Sequence, residues 1–290
     1  MNSYLLFGTV PEYFIIEKID GKEYGIPVPQ FIEKLGVNEI GFDETRKHPK
    51  IIASEEFNVI MDGIAVECNF TPSKTPVEMY KKAKSAIDAI NELATRFDYS
   101  VSLKPTVHYN FDKWYNPKSK LFAWCGIFGC DADRDAIVEE YNSPELNVRE
   151  HPYRYGGGHL HLSDNNTLLN LHPAPMVKIL AILVGNYTVA NSPYPELEKL
   201  RAFKYGQPGR YRVQNYKGDI KGVEYRSPSN VWTTDLGLTE GVFEYSNKAY
   251  EYLKDPKKAV ELMEEYLPST ISAIANVDQN LAQSILSSIN

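Results

Sequence analysis

Three pairs of polar residues in this sequence share one spacing. Glu67 and Asn69 stand two apart in AVECNF, His159 and His161 in GGHLHL, and Glu224 and Arg226 in GVEYR. A strand puts residues i and i+2 on one face, so each pair points one way. Val66, Leu160, Leu162, Val223 and Tyr225 then take the opposite face. Glu12 follows Pro11 and opens another apolar stretch, Tyr13-Phe14-Ile15-Ile16. Carboxylates, imidazoles and a guanidinium gathered on one face desolvate badly unless something neutralises them. Divalent cations would do so. Magnesium and manganese accept carboxylate oxygens, and manganese also tolerates imidazole. An arginine among such acids makes sense when phosphate oxygens share the site. Taken singly, a strand Glu is usually solvated, a His-x-His is usually a surface strand, and a Glu-x-Arg is usually a weak ion pair. Their shared period argues against those readings jointly.

The elements that must position these residues read as follows. Strands are expected at Tyr4–Phe7, Tyr13–Ile19 and Glu23–Val28, with Asp20-Gly21 as a hairpin turn, and across Phe57–Phe70 with Asp62-Gly63 as a second turn. Pro76 to Phe97 has helical apolar spacing, with Thr75 as N-cap and Pro76 in the first turn. Strands follow near Ser100–Tyr109, Leu121–Phe128, Gly158–Ser163 and Gly222–Arg226. Helices are expected at Pro173–Ala190, Pro195–Lys204, Leu238–Leu253, Pro256–Tyr266 and Thr270–Leu286. This is an α+β pattern of a mainly antiparallel sheet with helices grouped on one side. No linker divides it, so a single domain over 1–290 is expected, with residues 236–290 as an outer helical layer.

Composition narrows the function classes. With 43% hydrophobic and 24% charged residues, the chain of 290 residues is expected to fold over most of its length. Its net charge of −7 argues against a broad nucleic-acid surface. Twenty Tyr and twelve Phe favour a β-rich core or aromatic-lined clefts. Cys68, Cys125 and Cys130 form neither a disulfide framework nor a paired zinc motif, and read as thiols in a reducing cytoplasm. The N-terminal residues do not read as a signal peptide. The most apolar stretch, Met176 to Ala190, is interrupted by Lys178 and Asn186, so no membrane role is expected.

GGGHLHLSDNN (Gly156–Asn166) resembles the glycine-rich His-x-His strand of glutamine synthetases. KGVEYRSPSN (Lys221–Asn230) resembles their late Glu-x-Arg strand, and VPEYFII (Val10–Ile16) their opening strand. The fuller pattern is similar to the phage-encoded carboxylate–amine ligases of that fold, the phiEco32-like type 2 group. That pattern includes RAFKYGQPGRYR (Arg201–Arg212) leading into GVEYR. The resemblance runs from about Gly8 to Trp232, and the C-terminal helices carry no matching motif. It implies a glutamine synthetase-like fold, a curved sheet with helices on its convex face. It implies ATP and Mg2+ or Mn2+ as cofactors, and carboxylate and amine substrates, small molecules or peptides, in the cytoplasm (the host's if phage-encoded). Carried over, Glu12, Glu67, His159 and Glu224 would be metal ligands, and His161 would face the nucleotide. Arg226 would contact the transferred phosphoryl group, Arg201 the substrate carboxylate, and Arg210 or Arg212 a further phosphate. The Gly156-Gly157-Gly158 run is either a turn or a place where Gly157 and Gly158 let backbone approach the nucleotide closely.

The chain departs from the group in two respects. Val10 stands where members commonly have Asp, and the small N-terminal domain of classical glutamine synthetases has no obvious counterpart here. Asn69 is either an outer ligand or a substrate contact. Two other classes stay open: a phosphotransferase resembling guanidino kinases, and a non-catalytic scaffold. Asp131, Asp133 and Asp135 read as capping acids before a helix at Ala136–Tyr141, with contact to a substrate amine as the alternative. The geometry has one strict requirement. Glu12, Glu67, His159 and Glu224 must meet on one face within about 10 Å, with His161 and Arg226 lining the same cavity. Arg201 and Arg212 should enter from its rim, and Leu160 and Tyr225 should face the helices.

Overall fold

A computed structural model describes residues 5–36, 50–114, 133–139, 141–142, 151–164, 168–216 and 220–289. The expected Leu121–Phe128 strand, Cys125, Cys130 and Asp131 lie outside these residues. Leu6–Ile19 is one strand of 14 residues, where two, Tyr4–Phe7 and Tyr13–Ile19, are expected from the sequence. Proline lacks a ladder donor and usually ends a strand. Here Pro11 is the last residue paired with Gly158–Ser163, and the next residue, Glu12, begins the pairing with Ala65–Phe70 on the other edge. The missing N–H therefore falls at a changeover of partners.

From edge to edge the sheet runs Lys50–Ala53, Phe57–Asp62, Ala65–Phe70, Leu6–Ile19, Gly158–Ser163, Ile220–Tyr225, Arg210–Tyr216, Asp133–Asp135 and Tyr141–Asn142. Lys22–Ile26 and Ser100–Ser102 flank the far end of Leu6–Ile19. These ladders are all antiparallel. The architecture is α+β, as expected.

One face of the sheet is apolar and covered by helices. Leu160, Leu162, Val223 and Tyr225 pack with Met176, Val177 and Leu180 of the central helical run and with Val242 and Phe243 of the Leu236–Leu253 helix. Phe7 stacks on Phe243 with ring centroids 3.9 Å apart. A second core lies at the other end of the sheet. There Tyr13, Val59, Met61, Val66 and Cys68 meet Ala86, Ile90 and Ala94 of the Pro76–Thr95 helix. The N-cap of that helix is Thr75, whose hydroxyl accepts from the Glu78 N–H. A short helix, Val28–Leu35, closes this core with Val28, Phe31, Ile32 and Leu35. It takes the last residues of the expected Glu23–Val28 strand, which ends at Ile26.

The central run is helical from Pro173 to Asn191 and passes through a π-turn at Ala181–Gly185. By length and composition this stretch could cross a membrane, but 61% of its most apolar window is buried inside the protein, as in a core helix. The expected break near Pro268 does not occur. Pro256–Asn276 is one helix, and it ends at Val277 in left-handed conformation with φ 52°. Pro268 and Glu264, whose carbonyl loses its helical donor, are both on the exposed side, where water can bond that carbonyl. The expected helix at Ala136–Tyr141 is absent too. Asp133–Asp135 is a strand paired with Arg210–Tyr211 on one side and Tyr141–Asn142 on the other. Asp135 does cap, but it caps a turn: its Oδ1 accepts from the Ile137 and Val138 N–H groups at 2.8 and 3.2 Å.

Candidate metal and phosphate site

The register of four strands brings the polar pairs together. Glu12 lies directly across from Glu67, Val10 from His159, and His161 from both Gly8 and Glu224. Arg212 is opposite Glu224 on the next strand. Opposed residues in an antiparallel ladder share a face, and the two-residue period extends that face along each strand. One cavity of about 280 Å³ is lined by Glu12, Glu67, His159, His161, Glu224, Arg212 and Arg226 together, with Asp62, Asn69, Gln214 and Val10. The cavity thus brings Glu12, Glu67, His159 and Glu224 together with His161 and Arg226, while Leu160 and Tyr225 face the helices.

Within the cavity the acids gather at one end. Glu12, Asp62 and Glu67 each offer a carboxylate oxygen within 4.8 Å of the others. Burial, followed by the charge of Asp62, pushes Glu12 up to about 7 and Glu67 up to about 8. The Gly157 N–H donates to Glu12 Oε2 at 2.9 Å, and Asn69 Nδ2 donates to Glu67 Oε1 at 3.1 Å. Asp62 is the ligand candidate that motif reading misses, because Asp62-Gly63 reads as a hairpin turn. The hairpin register sets Ile60 opposite Glu67 and Asp62 opposite Ala65. Counting two residues on from Ile60 already puts Asp62 on the face of Glu67.

At the other end a guanidinium joins the groups. Arg226 Nη1 bonds Glu224 Oε1, its Nη2 donates to the Tyr205 hydroxyl at 3.0 Å, and its Nε donates to Asp133 Oδ2 at 3.2 Å. Glu224 Oε2 also accepts from Gln214, and Arg212 Nη1 lies 3.6 Å from Glu224 Oε1. Burial disfavours the charge on Glu224, but Arg226, His161 and Arg212 together hold its pKa below the usual value. His159 Nδ1 is 3.3 Å from both Glu224 Oε1 and Arg226 Nη1, and its Nε2 is 2.7 Å from the Tyr205 hydroxyl. Burial, reinforced by Arg226, drives the His159 pKa well down, so its ring is neutral. Burial also lowers His161, whose Nδ1 is 2.9 Å from the Tyr216 hydroxyl. Among the described residues, the buried Nε2 of His161 has no hydrogen-bond partner.

Two arginines and the glycine run sit differently from the expectation. Arg201 is buried away from the cavity rim. Its guanidinium donates to the carbonyls of Gly156, Ser227 and Pro228 at 3.1, 2.7 and 3.0 Å. An arginine satisfied by three carbonyls holds loops together and is not presented to a substrate carboxylate. Arg210 donates to Asp133 Oδ1 at 2.9 Å, so Asp133 bridges Arg210 and Arg226. Gly157 and Gly158 serve protein packing. A Cβ on Gly158 would lie 2.1 Å from the Ser229 carbonyl oxygen, and one on Gly157 would lie 2.5 Å from His159 Nε2.

Sequence comparison finds no family and no characterised relative that matches the chain. Solved structures do resemble it. One, described as apo GmaS without ligand, is 12% identical over 99% of this chain and 69% of that one, with a TM-score of 0.45. A crystal structure of a novel glutamine synthase homolog is 13% identical over 99% of this chain and 68% of that one, with a TM-score of 0.43.

The donor chemistry itself fits a hard divalent cation. Three carboxylates offer oxygens within 4.8 Å of one another, and burial with mutual repulsion raises two of them, a set of hard oxygen donors that suits such a cation. A second cavity of about 370 Å³ adjoins the first through Val10, Asn69 and His161. Its other walls include Leu6, Phe7, Phe70, Pro72, Leu162, Tyr216 and Ile220, so it is mostly apolar.

Proposed function

We propose that the chain is an ATP-dependent carboxylate–amine ligase that works through an acyl phosphate, acting in the cytoplasm on small-molecule or peptide substrates. The observation that carries this reading is the placement of four acids and two arginines in one cavity. Acids alone suit a cation, and arginines alone suit an anion. Both together suit a cation–phosphate complex. The motifs from Val10 to Asn230 that resemble glutamine synthetases support the same reading. So does the adjoining apolar cavity, which suits a nucleobase while the phosphates lie beyond His161.

Glu12, Asp62 and Glu67 would hold one divalent cation, with His159 and Glu224 as ligands for a second. Bound there, the cations supply charge neutralisation for the phosphate oxygens. Arg226 and Arg212 would face the γ-phosphoryl group. A substrate carboxylate oxygen attacks γ-phosphorus as the bond to the β–γ bridging oxygen breaks, and ADP leaves. The amine nitrogen then attacks the acyl carbon, phosphate departs with the electron pair of the C–O bond, and the nitrogen loses a proton to give the amide. Positioning and charge stabilisation are the protein's part in both steps.

Calorimetry tests the binding half. ATP should bind in the presence of Mg2+ or Mn2+ and fail to bind in chelator, and equal affinity in both would sink the site. A screen for ADP release against carboxylate and amine libraries tests the chemistry.

A further inference from the structure

His159 lies on one strand and Arg226 just past the end of its neighbour, yet one side chain touches both. The Tyr205 hydroxyl is 2.7 Å from His159 Nε2 and accepts from Arg226 Nη2 at 3.0 Å. We infer that Tyr205 is a positioning residue: it fixes the His159 ring with its hydrogen on Nε2, leaves the Nδ1 lone pair turned toward Glu224, and ties that imidazole to the guanidinium of Arg226. The metal side of this inference rests on the reading of the cavity proposed above; the orientation of the ring does not.

A neutral imidazole carries one hydrogen on one of its two nitrogens, and a ring nitrogen that accepts a hydrogen bond carries none. Arg226 can only donate, and its Nη1 lies 3.3 Å from Nδ1. That contact requires a lone pair on Nδ1 and therefore the hydrogen on Nε2. Glu224 Oε1, also 3.3 Å from Nδ1, would favour the opposite tautomer, but the hydrogen-bond partner of Nδ1 is the Arg226 guanidinium. Nε2 packs against the Gly157 backbone, so Nδ1 is the nitrogen that faces Glu224. A metal-binding histidine depends on an acceptor at its other nitrogen to set ring angle and tautomer.

Tyr205 is itself held on several sides. Its N–H donates to the Arg201 carbonyl at 2.7 Å, and its ring lies 5.0 Å from the Arg201 guanidinium carbon. The next residue, Gly206, has φ +83°, and a Cβ there would meet Arg201 Nη1 at 2.2 Å. Arg201, fixed by three carbonyls, thus gives Tyr205 a rigid seat. The RAFKYG segment acts on the cavity through Tyr205 rather than through Arg201.

The test uses the full chain with histidine labelled by nitrogen-15. In metal-free wild type, long-range proton–nitrogen spectra should show the His159 hydrogen on Nε2. Tyr205→Phe should shift that ring toward the Nδ1–H form. Tyr216→Phe, which removes the hydroxyl beside His161, should leave the His159 signals where they were. Calorimetry with Mn2+ should find Tyr205→Phe weaker by about 10- to 100-fold, with circular dichroism unchanged. The inference is overturned by an Nδ1–H tautomer in wild type, a readout that needs no variant. It is also overturned if Tyr205→Phe folds and keeps both the wild-type tautomer and the wild-type Mn2+ affinity. Failure of wild type to bind Mn2+ would instead remove the cation reading of the cavity, while the metal-free tautomer still decides what Tyr205 does.

Discussion

Asp62 contributes both an oxygen and a charge to the acid cluster. It is the second-largest influence raising Glu12 and Glu67, after burial. Asp62→Asn keeps the side-chain shape and removes the charge. Two charges about 4 Å apart at an intermediate effective dielectric of about 20 interact by roughly 4 kcal/mol. Mn2+ affinity measured by calorimetry should therefore fall by at least about tenfold, and wild-type affinity in this variant would exclude Asp62 as a ligand. At this scale Glu67, His159, His161, Glu224 and Arg226 were legible, because they stand in pairs two residues apart in stretches whose other face is apolar; Glu12 was marked by the apolar stretch it opens, and Arg212 only by the resemblance of its motif. Arg201 was not: a motif gives the residue type, while the three carbonyls that absorb its donors come from loops at residues 156, 227 and 228.

The His-x-His strand depends on what precedes it. Gly158 pairs with Pro11, and its N–H donates to the Pro228 carbonyl at 3.0 Å, so two backbones pass close by. A methyl group on Gly158 would meet the Ser229 carbonyl carbon at 2.6 Å as well as its oxygen, and a backbone cannot swing aside as a side chain can. Gly158→Ala should therefore destabilise by at least about 1–3 kcal/mol, read as a lower denaturant midpoint. Gly8→Ala, whose new atom would sit 3.3 Å from His161 Cβ, should cost less. Equal midpoints for the two variants would contradict this account. Elements with a long periodic pattern, such as Pro76–Thr95 and Leu236–Leu253, could be read from sequence. Val28–Leu35 also has helical spacing, but its eight residues follow a strand and include Pro29, so the pattern is easily absorbed into its neighbour. The strand at Asp133–Asp135 exists because Arg210–Tyr216 supplies a partner from far along the chain, which no local pattern reveals.

Across the molecule, the acid cluster should couple cation binding to stability. Glu12 and Glu67 hold protons in the metal-free fold up to about 7 and 8, well above the ordinary glutamate value of 4.5. Between that value and about 8 the folded chain binds more protons than the unfolded one, so this contribution to stability declines as pH rises. With chelator present, the melting temperature should fall between pH 5.5 and 8.5, and the Glu12→Gln, Glu67→Gln double variant should show a smaller slope. Saturating Mn2+ should remove most of the decline, since a ligand that binds only the folded state stabilises it. A slope that is the same in all three samples would mean that the cluster does not govern the pH response. The α+β class was legible at this scale because periods of two and of about 3.6 occupy separate stretches of the chain. The continuity of Leu6–Ile19 was not, since it depends on partners that change at Pro11.

That continuous strand has a consequence during synthesis. Leu6–Ile19 leaves the ribosome well before Gly158–Ser163, its partner along the first six positions. The 139 residues from Ile19 to Gly158 take about 7 to 28 s to make at roughly 5–20 residues per second. For that interval the nascent chain can complete the hairpin with Lys22–Ile26 and the Glu12–Glu67 pairing, but the Leu6–Pro11 edge stays open. The acids can meet while His159, Glu224 and Arg226 are still unmade. If the cavity acts as proposed, its cation end and its phosphate end are completed at different moments in the life of the chain, in that order.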